Sequence, residues 1–187
     1  MYLPRPLLPH LYSTLLNTLT PSSSPLLLLT APTVDAICAL RILTAQLKRD
    51  FIPHKVRPVG GYAELQKAGD EEVKGMMKTA GGEGGVVVCL GCGGGVDVGE
   101  MLGLTSDGED VDGEGVEGEN AGHGVEVWVV DAHRGWNLEN VFGGNVAARR
   151  GVEQGKLLST YRPRAAGGVI VWDEGDIETD LQAEREA

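Results

Sequence analysis

The chain is short of the residues that announce a compartment or a partner. Three cysteines, Cys38, Cys89 and Cys92, are too few for a disulfide framework. Two of them lie in or beside apolar runs, and the pattern points to a reducing compartment, cytosol or nucleus. No apolar run approaches the roughly 20 residues that span a bilayer, so no membrane partner is expected. Acids are missing from the first 34 residues, as in a transit peptide, but these hold one arginine and space their leucines as a packed helix does. Bases are missing from residues 105–124, which carry seven acids and six glycines. Residues 173–187 carry seven further acids against Arg185 alone. The formal charge of -11 therefore belongs to two solvated segments, and the remaining body stands at +2. Such a body does not advertise tight nucleic-acid binding, although Arg149, Arg150, Lys156, Arg162 and Arg164 gather in one region.

What is present is an alternation of helical and strand patterns. At 187 residues the chain fits one domain, taken as residues 1–172, with 173–187 as an acidic helix or tail. Leu7, Leu8, Leu11, Tyr12, Leu15, Leu16 and Leu19 recur at helical spacing. Leu26 to Leu29 reads as a strand. A helix is expected from about Val34 to Phe51, capped by Thr33 or Asp35, with Ile37, Leu40, Ile42, Leu43 and Leu47 in the core. His54 to Val59 reads as a strand, Tyr62 to about Thr79 as a helix, Val86 to Leu90 as a strand and Val98 to Leu102 as a short helix. The stretch 105–124 offers too little apolar surface to offset its ordering entropy and is expected to be a disordered insertion. Val125 to Val130 is a β-branched run of the kind buried in parallel sheets. Residues 144–167 resist assignment and are expected to be partly helical, and Val169 to Trp172 reads as the last strand. The expected fold is a three-layer α/β domain, a parallel sheet flanked by helices.

Three signals bear on chemistry. Cys89-Leu90-Gly91-Cys92 supplies two of the four ligands of a structural zinc, and there is no second pair. The stretch VVVCLGCGGGVD (86–97) looks like the glycine-rich first motif of S-adenosylmethionine-dependent methyltransferases. Cys89 stands where those enzymes carry an acid, and only 56 residues follow Asp131, so a methyltransferase is the alternative reading and not the favoured one. Asp131, His133 and Arg134 follow a buried strand directly, at the sheet end where ligands collect in open α/β folds.

Three segments together, VDAICALRILTAQLK (34–48), VRPVGGYAEL (56–65) and VVDAHRGWNLENVFG (129–143), resemble the N-terminal part of the family of eukaryotic cell division control protein 45. That family is related to DHH phosphoesterases and RecJ-like nucleases, so the resemblance implies a DHH-like domain. The last segment is the most specific, with Asp-x-His-Arg followed by Trp136-Asn137 and a Phe-Gly; Gly135 stands where proline is common. Active DHH enzymes hold a metal pair at three strand ends. Carried over residue by residue, Asp35 matches one aspartate of the first motif and Thr33 replaces the other. The second motif's aspartate falls on Gly91. In the third motif Asp131 and His133 remain and Ala132 replaces a histidine. The resemblance thus implies a degenerate site with no catalytic residue, no metal and no cofactor, with Arg134, Trp136 and Asn137 structural or partner-facing. It also implies a nuclear replication initiation and elongation factor that scaffolds the replicative helicase assembly. The expected partners are the Mcm helicase ring, GINS and initiation loading factors, with possible contact to single-stranded DNA.

Overall fold

The computed structural model describes residues 1–19, 25–104, 124–133, 135–142, 151–153, 155–163, 167–173, 175 and 177. The acidic insertion 105–124, apart from Gly124, lies outside the described residues, as do Arg134, the basic pair Arg149 and Arg150, Arg164, and the tail from 178 onward.

In chain order the elements are β1 (Tyr2–Pro4), α1 (Leu8–Thr18), β2 (Leu26–Thr30), α2 (Val34–Arg49), β3 (His54–Pro58), α3 (Tyr62–Ala68), α4 (Lys74–Met76), β4 (Gly85–Leu90), α5 (Val98–Met101), β5 (Val125–Val130), α6 (Leu138–Phe142), β6 (Val152–Glu153), β7 (Lys156–Leu157) and β8 (Gly168–Asp173). Six of the strands form one sheet in the order β1-β8-β5-β4-β2-β3. Every pairing in it is parallel. The expected α/β architecture is the observed one.

The central strands read as apolar runs, broken in β5 only by Glu126, because both of their faces are covered. On one face Leu27, Leu29, Val87, Cys89, Val127 and Val129 pack under α3, α5 and α6 through Leu65, Ala68, Val98, Leu102 and Val141. On the other, Leu26, Leu28, Val86, Val88 and Trp128 pack under α1 and α2 through Leu11, Leu15, Ala36 and Leu47. Each fully buried leucine contributes about 1.5–3 kcal/mol, so the two layers outweigh any single polar contact.

The structure differs from the expectations in several places. The strand β1 was not anticipated; it is three residues long, ends in proline and pairs with β8, Tyr2 opposite Val171. The helix expected through Phe51 stops at Arg49, and of its apolar positions Leu47 is buried while Ile37 and Ile42 are exposed. The helix expected from Tyr62 to Thr79 breaks into a wide π turn at Gly69–Val73. There a Cβ on Gly69 would stand 2.8 Å from the Leu102 Cα, so the glycine lets this turn press against the end of α5. Within 144–167, residues 144–150, 154 and 164–166, where the expected partial helix could fall, lie outside the described residues, and the described ones form an antiparallel hairpin, β6 with β7. Gly155, at φ 72°, supplies the left-handed residue of its tight turn.

Candidate functional site

The loops leaving the carboxyl ends of β2, β3, β4 and β5 surround a cleft of about 490 Å³. It opens where β2 and β4 lie side by side while their connections run to opposite sides of the sheet. That is the place where open α/β sheets form crevices. Ala31 to Thr33 line it from β2, Val59 to Tyr62 from β3, Gly91 to Gly93 and Gly95 from β4, and Asp131 and His133 from β5.

Four of the anticipated residues therefore meet here: Thr33, Gly91, Asp131 and His133. Thr33 caps α2, its Oγ1 accepting from the Ala36 N–H at 3.4 Å. Gly91 sits at φ 66°, and a Cβ there would stand 2.9 Å from the Ala36 Cβ and 3.4 Å from the Thr33 Oγ1. A side chain at 91 is opposed both by its backbone conformation and by the cap of α2. Asp35 does not join them. It is exposed in the first turn of α2 and does not line the cleft. Ala132 is exposed as well.

Asp131 is spent on its surroundings. Its side chain is only 5% exposed. Its Oδ1 accepts from the His133 backbone N–H at 3.0 Å and lies 2.6 Å from the His133 Nδ1. Its Oδ2 accepts from the Gly94 N–H at 3.2 Å. The His133 ring, 70% exposed, looks outward from the cleft rim. Gly94 is held from the other side too, because its carbonyl accepts from the Asn137 N–H at 2.8 Å. A Cβ on Gly94 would come within 3.1 Å of the Trp136 ring, so the glycine admits the indole. Asn137 closes its own turn by accepting from the Glu139 N–H at 2.9 Å.

The residue that sequence reasoning missed is Asn140, buried in α6. Its Nδ2 donates to the carbonyls of Gly93 at 3.1 Å and Val96 at 2.6 Å, and its Oδ1 accepts from the Val98 N–H at 3.0 Å. It fastens the whole glycine loop to α6. Its carbonyl also accepts from the amino group of Met1, which donates to Val169 as well. An asparagine inside an amphipathic pattern carries no signal of such a role. Glu126 was missed for a related reason. On the α1–α2 face its buried carboxylate accepts from the Trp128 indole at 2.5 Å and the Tyr161 hydroxyl at 2.7 Å. Burial beside that acid pushes the Tyr161 hydroxyl far above its usual range.

The Cys89 thiol, fully buried next to Cys92, is pushed well above the usual range by that neighbour and by burial. It stays neutral and packs as a small apolar group. Cys92 faces the cleft and donates to the Leu29 carbonyl at 3.8 Å.

The metal pair implied by the DHH resemblance can be tested against these donors. Thr33, Gly91 and Ala132 offer no carboxylate or imidazole, and both oxygens of Asp131 already accept protein hydrogen bonds. Among the described residues no group of three or more His, Cys, Asp or Glu side chains is placed to hold a metal ion. The residues do not fit two divalent ions that need a bridging carboxylate. Among the described residues no helix is long and apolar enough to cross a membrane.

Comparison with known proteins places this cleft in a lineage. Over 153 residues the chain is 29% identical to the cell division control protein 45 homolog of Schizosaccharomyces pombe, covering 79% of this chain and 16% of that protein. It is 28% identical over 167 residues to protein TSD2 of Mycosarcoma maydis, covering 84% of this chain and 15% of the relative. Cell division control protein 45 of Saccharomyces cerevisiae is 27% identical over 116 residues, covering 60% and 16% respectively. The chain thus spans about a sixth of the length of the curated relatives it matches. The crystal structure of CDC45 from Entamoeba histolytica shares the fold, with a TM-score of 0.56 and 24% identity over 93% of this chain and 26% of that one. The CDC45 family profile matches residues 26–187, from the first residue of β2 onward, and the chain accordingly belongs to the CDC45 family, as an N-terminal part.

Proposed function

We propose that this chain is the N-terminal part of a nuclear DNA replication factor. It scaffolds the replicative helicase assembly by binding the Mcm ring, GINS and initiation loading factors, and it performs no phosphoester chemistry. The reading rests on the family assignment and on one observation, the state of Asp131. In a metal-dependent phosphoesterase that carboxylate would be turned to an ion. Here it closes its own loop through His133 and ties down the neighbouring loop through Gly94. The cleft is kept as a shape, held by charge-assisted hydrogen bonds, and its rim is available to partners. A vestigial path for single-stranded DNA across the cleft belongs to the same reading. The S-adenosylmethionine alternative has no support from this site, since the glycines of the β4 loop are occupied by Asp131, Asn137 and Asn140.

Two assays on one set of proteins test the reading. Incubation with labelled single-stranded DNA and Mg²⁺ or Mn²⁺ is expected to leave the strand intact. Pull-down with the Mcm ring and GINS is expected to retain the chain, and Asp131→Ala to lose binding only in proportion to its loss of folded protein. Strand cleavage that disappears in Asp131→Ala would overturn the proposal.

A further inference from the structure

The loop that leaves β4 doubles back on its own strand. Cys89, near the end of β4, is fully buried on the face covered by α3, α5 and α6. Gly91, at φ 66°, and Gly93, at φ 94°, turn the chain tightly enough to bring it back over that side chain. A Cβ on Gly93 would stand 3.8 Å from the Cys89 Cβ. Cys92 lies between the two glycines. Its Sγ is 3.8 Å from the Leu29 carbonyl oxygen, and Leu29 is the residue opposite Cys89 in the β2–β4 pairing. The two sulfurs are within hydrogen-bond reach of each other, Cys89 donating and Cys92 accepting. Their access differs: Cys89 is shut off from solvent, whereas Cys92 lines the cleft. Packing alone asks for small apolar groups here and not for one sulfur aimed at another.

We propose that Cys89 and Cys92 are a reversible peroxide-sensitive pair, in which Cys92 is the residue oxidised and Cys89 resolves it to a disulfide within the loop. A low, accessible thiol poised beside a second cysteine is the arrangement that such chemistry needs. The Cys92 thiolate attacks one oxygen of hydrogen peroxide. An S–O bond forms, the O–O bond breaks, and the departing hydroxide takes up the proton the thiol had released, as water. The Cys89 sulfur then attacks the Cys92 sulfur. An S–S bond forms, the S–O bond breaks, and the hydroxyl leaves with the Cys89 proton as a second water. Two thiols are oxidised and one peroxide is reduced. The hydrogen bond from Cys89 holds the Cys92 thiol below its usual range, against burial and the charge of Asp131, so thiolate forms on the side that faces the cleft. The same bond keeps the proton on Cys89 until the second step. A covalent S–S bond is shorter than any hydrogen bond between sulfurs. Bridging therefore draws Cys92 off the Leu29 carbonyl and pulls on Gly93 and Gly94, which Asn140 and Asp131 hold. Oxidation reshapes the cleft floor, and a transient bridge of this kind is the sort a reducing compartment permits.

Peroxide treatment of the whole chain, followed by alkylation and intact mass measurement, tests this. Cys38→Ser removes the exposed third thiol, so any bridge within one chain must join Cys89 to Cys92. The expected result is a monomer lighter by two hydrogens, with neither remaining cysteine open to alkylation, and dithiothreitol restores both thiols. Cys89→Ser, made in the same background, leaves Cys92 as a sulfenic acid that dimedone captures, whereas Cys92→Ser leaves Cys89 reduced. The unaltered chain supplies the same test without a substitution, because its tryptic peptide 79–134 carries both cysteines and should lose the same two hydrogens while Cys38 is still free. Two alkylated cysteines after peroxide overturn the proposal. So does a bridge that forms only in urea, or a sulfenic acid that persists at Cys92 beside an intact Cys89.

Discussion

Replacing Asn140 by alanine should cost more than its place on a five-residue helix suggests. The side chain is buried and makes three hydrogen bonds, two donated to the Gly93 and Val96 carbonyls and one accepted from the Val98 N–H. Each is worth about 1 kcal/mol net, and the groups left behind are dry, so Asn140→Ala should lose about 2–4 kcal/mol. For a domain of ordinary stability, about 5–15 kcal/mol, that is a large share. Urea melts should show a lower midpoint at an unchanged slope. Asn140→Asp makes the test sharper. It keeps the shape and the acceptor for Val98, but it points a second carboxylate oxygen at two carbonyls. That environment raises the folded-state pKa of the new acid above its unfolded value of about 3.9. A group so raised stabilises fully below its unfolded pKa, where it is protonated and can donate. Its contribution is lost as pH climbs through the folded pKa. The Asp variant should therefore lag the parent most at neutral pH and close the gap on acidification. A loss below about 0.5 kcal/mol in Asn140→Ala, or a gap in Asn140→Asp that widens toward acid, would refute the account of Asn140 as the fastener of the glycine loop.

Asp131→Ala should cost about 1–3 kcal/mol in the same melts, because the Gly94 and His133 N–H groups lose their acceptor. Gly91→Ala should destabilise and Gly91→Asp should be worse, since both meet a left-handed backbone and the Ala36 contact; a neutral or stabilising Gly91→Asp would show that the cap of α2 yields. The Tyr161 and Tyr12 hydroxyls are both raised above the ordinary value of 10.0, Tyr161 by burial beside Glu126 and Tyr12 by burial beside Asp50. Their stabilisation is complete below about pH 10 and lost above it, as the unfolded chain ionises first. Tyr161→Phe should flatten that alkaline limb in melts between neutral pH and pH 11.

The parts of the fold open to sequence reasoning are those in which burial on two faces writes a continuous apolar run. Leu26 to Leu29 and Val86 to Leu90 are such runs, Val125 to Val130 is one but for Glu126, and each is a central strand. Tyr2–Pro4 is too short to write one, and its strand partner among the described residues lies at Val171 to Asp173, so pairing at long range decides it. The apolar residues of α2 were legible as helical but not as exposed, because periodicity says which residues share a face and not whether anything covers it. In the site, Asp131 and His133 were legible because they follow a buried strand, whereas Thr33 and Gly91 came only from the resemblance to the DHH motifs. Asp35 was misplaced because the turn that Thr33 caps directs it outward. Asn140 was silent, since what makes it matter is a set of carbonyls more than forty residues away in the chain.

The pairing of β1 with β8 has a kinetic consequence. Tyr2 finds Val171 only after nearly every described residue has been synthesised. At about 5–20 residues per second, that interval on the ribosome is roughly 10–30 seconds. Meanwhile β3, β4 and β5 can join β2 around the cleft, each beside a neighbour already made. Leu3, which packs only once the edge is built, must wait in water, and so must the amino group of Met1. The domain therefore matures from the β3 side of the sheet toward β5, and the edge made by β8 and β1 closes last. A nascent chain stalled before β8 would carry a formed cleft and an unfinished edge, a natural substrate for chaperones.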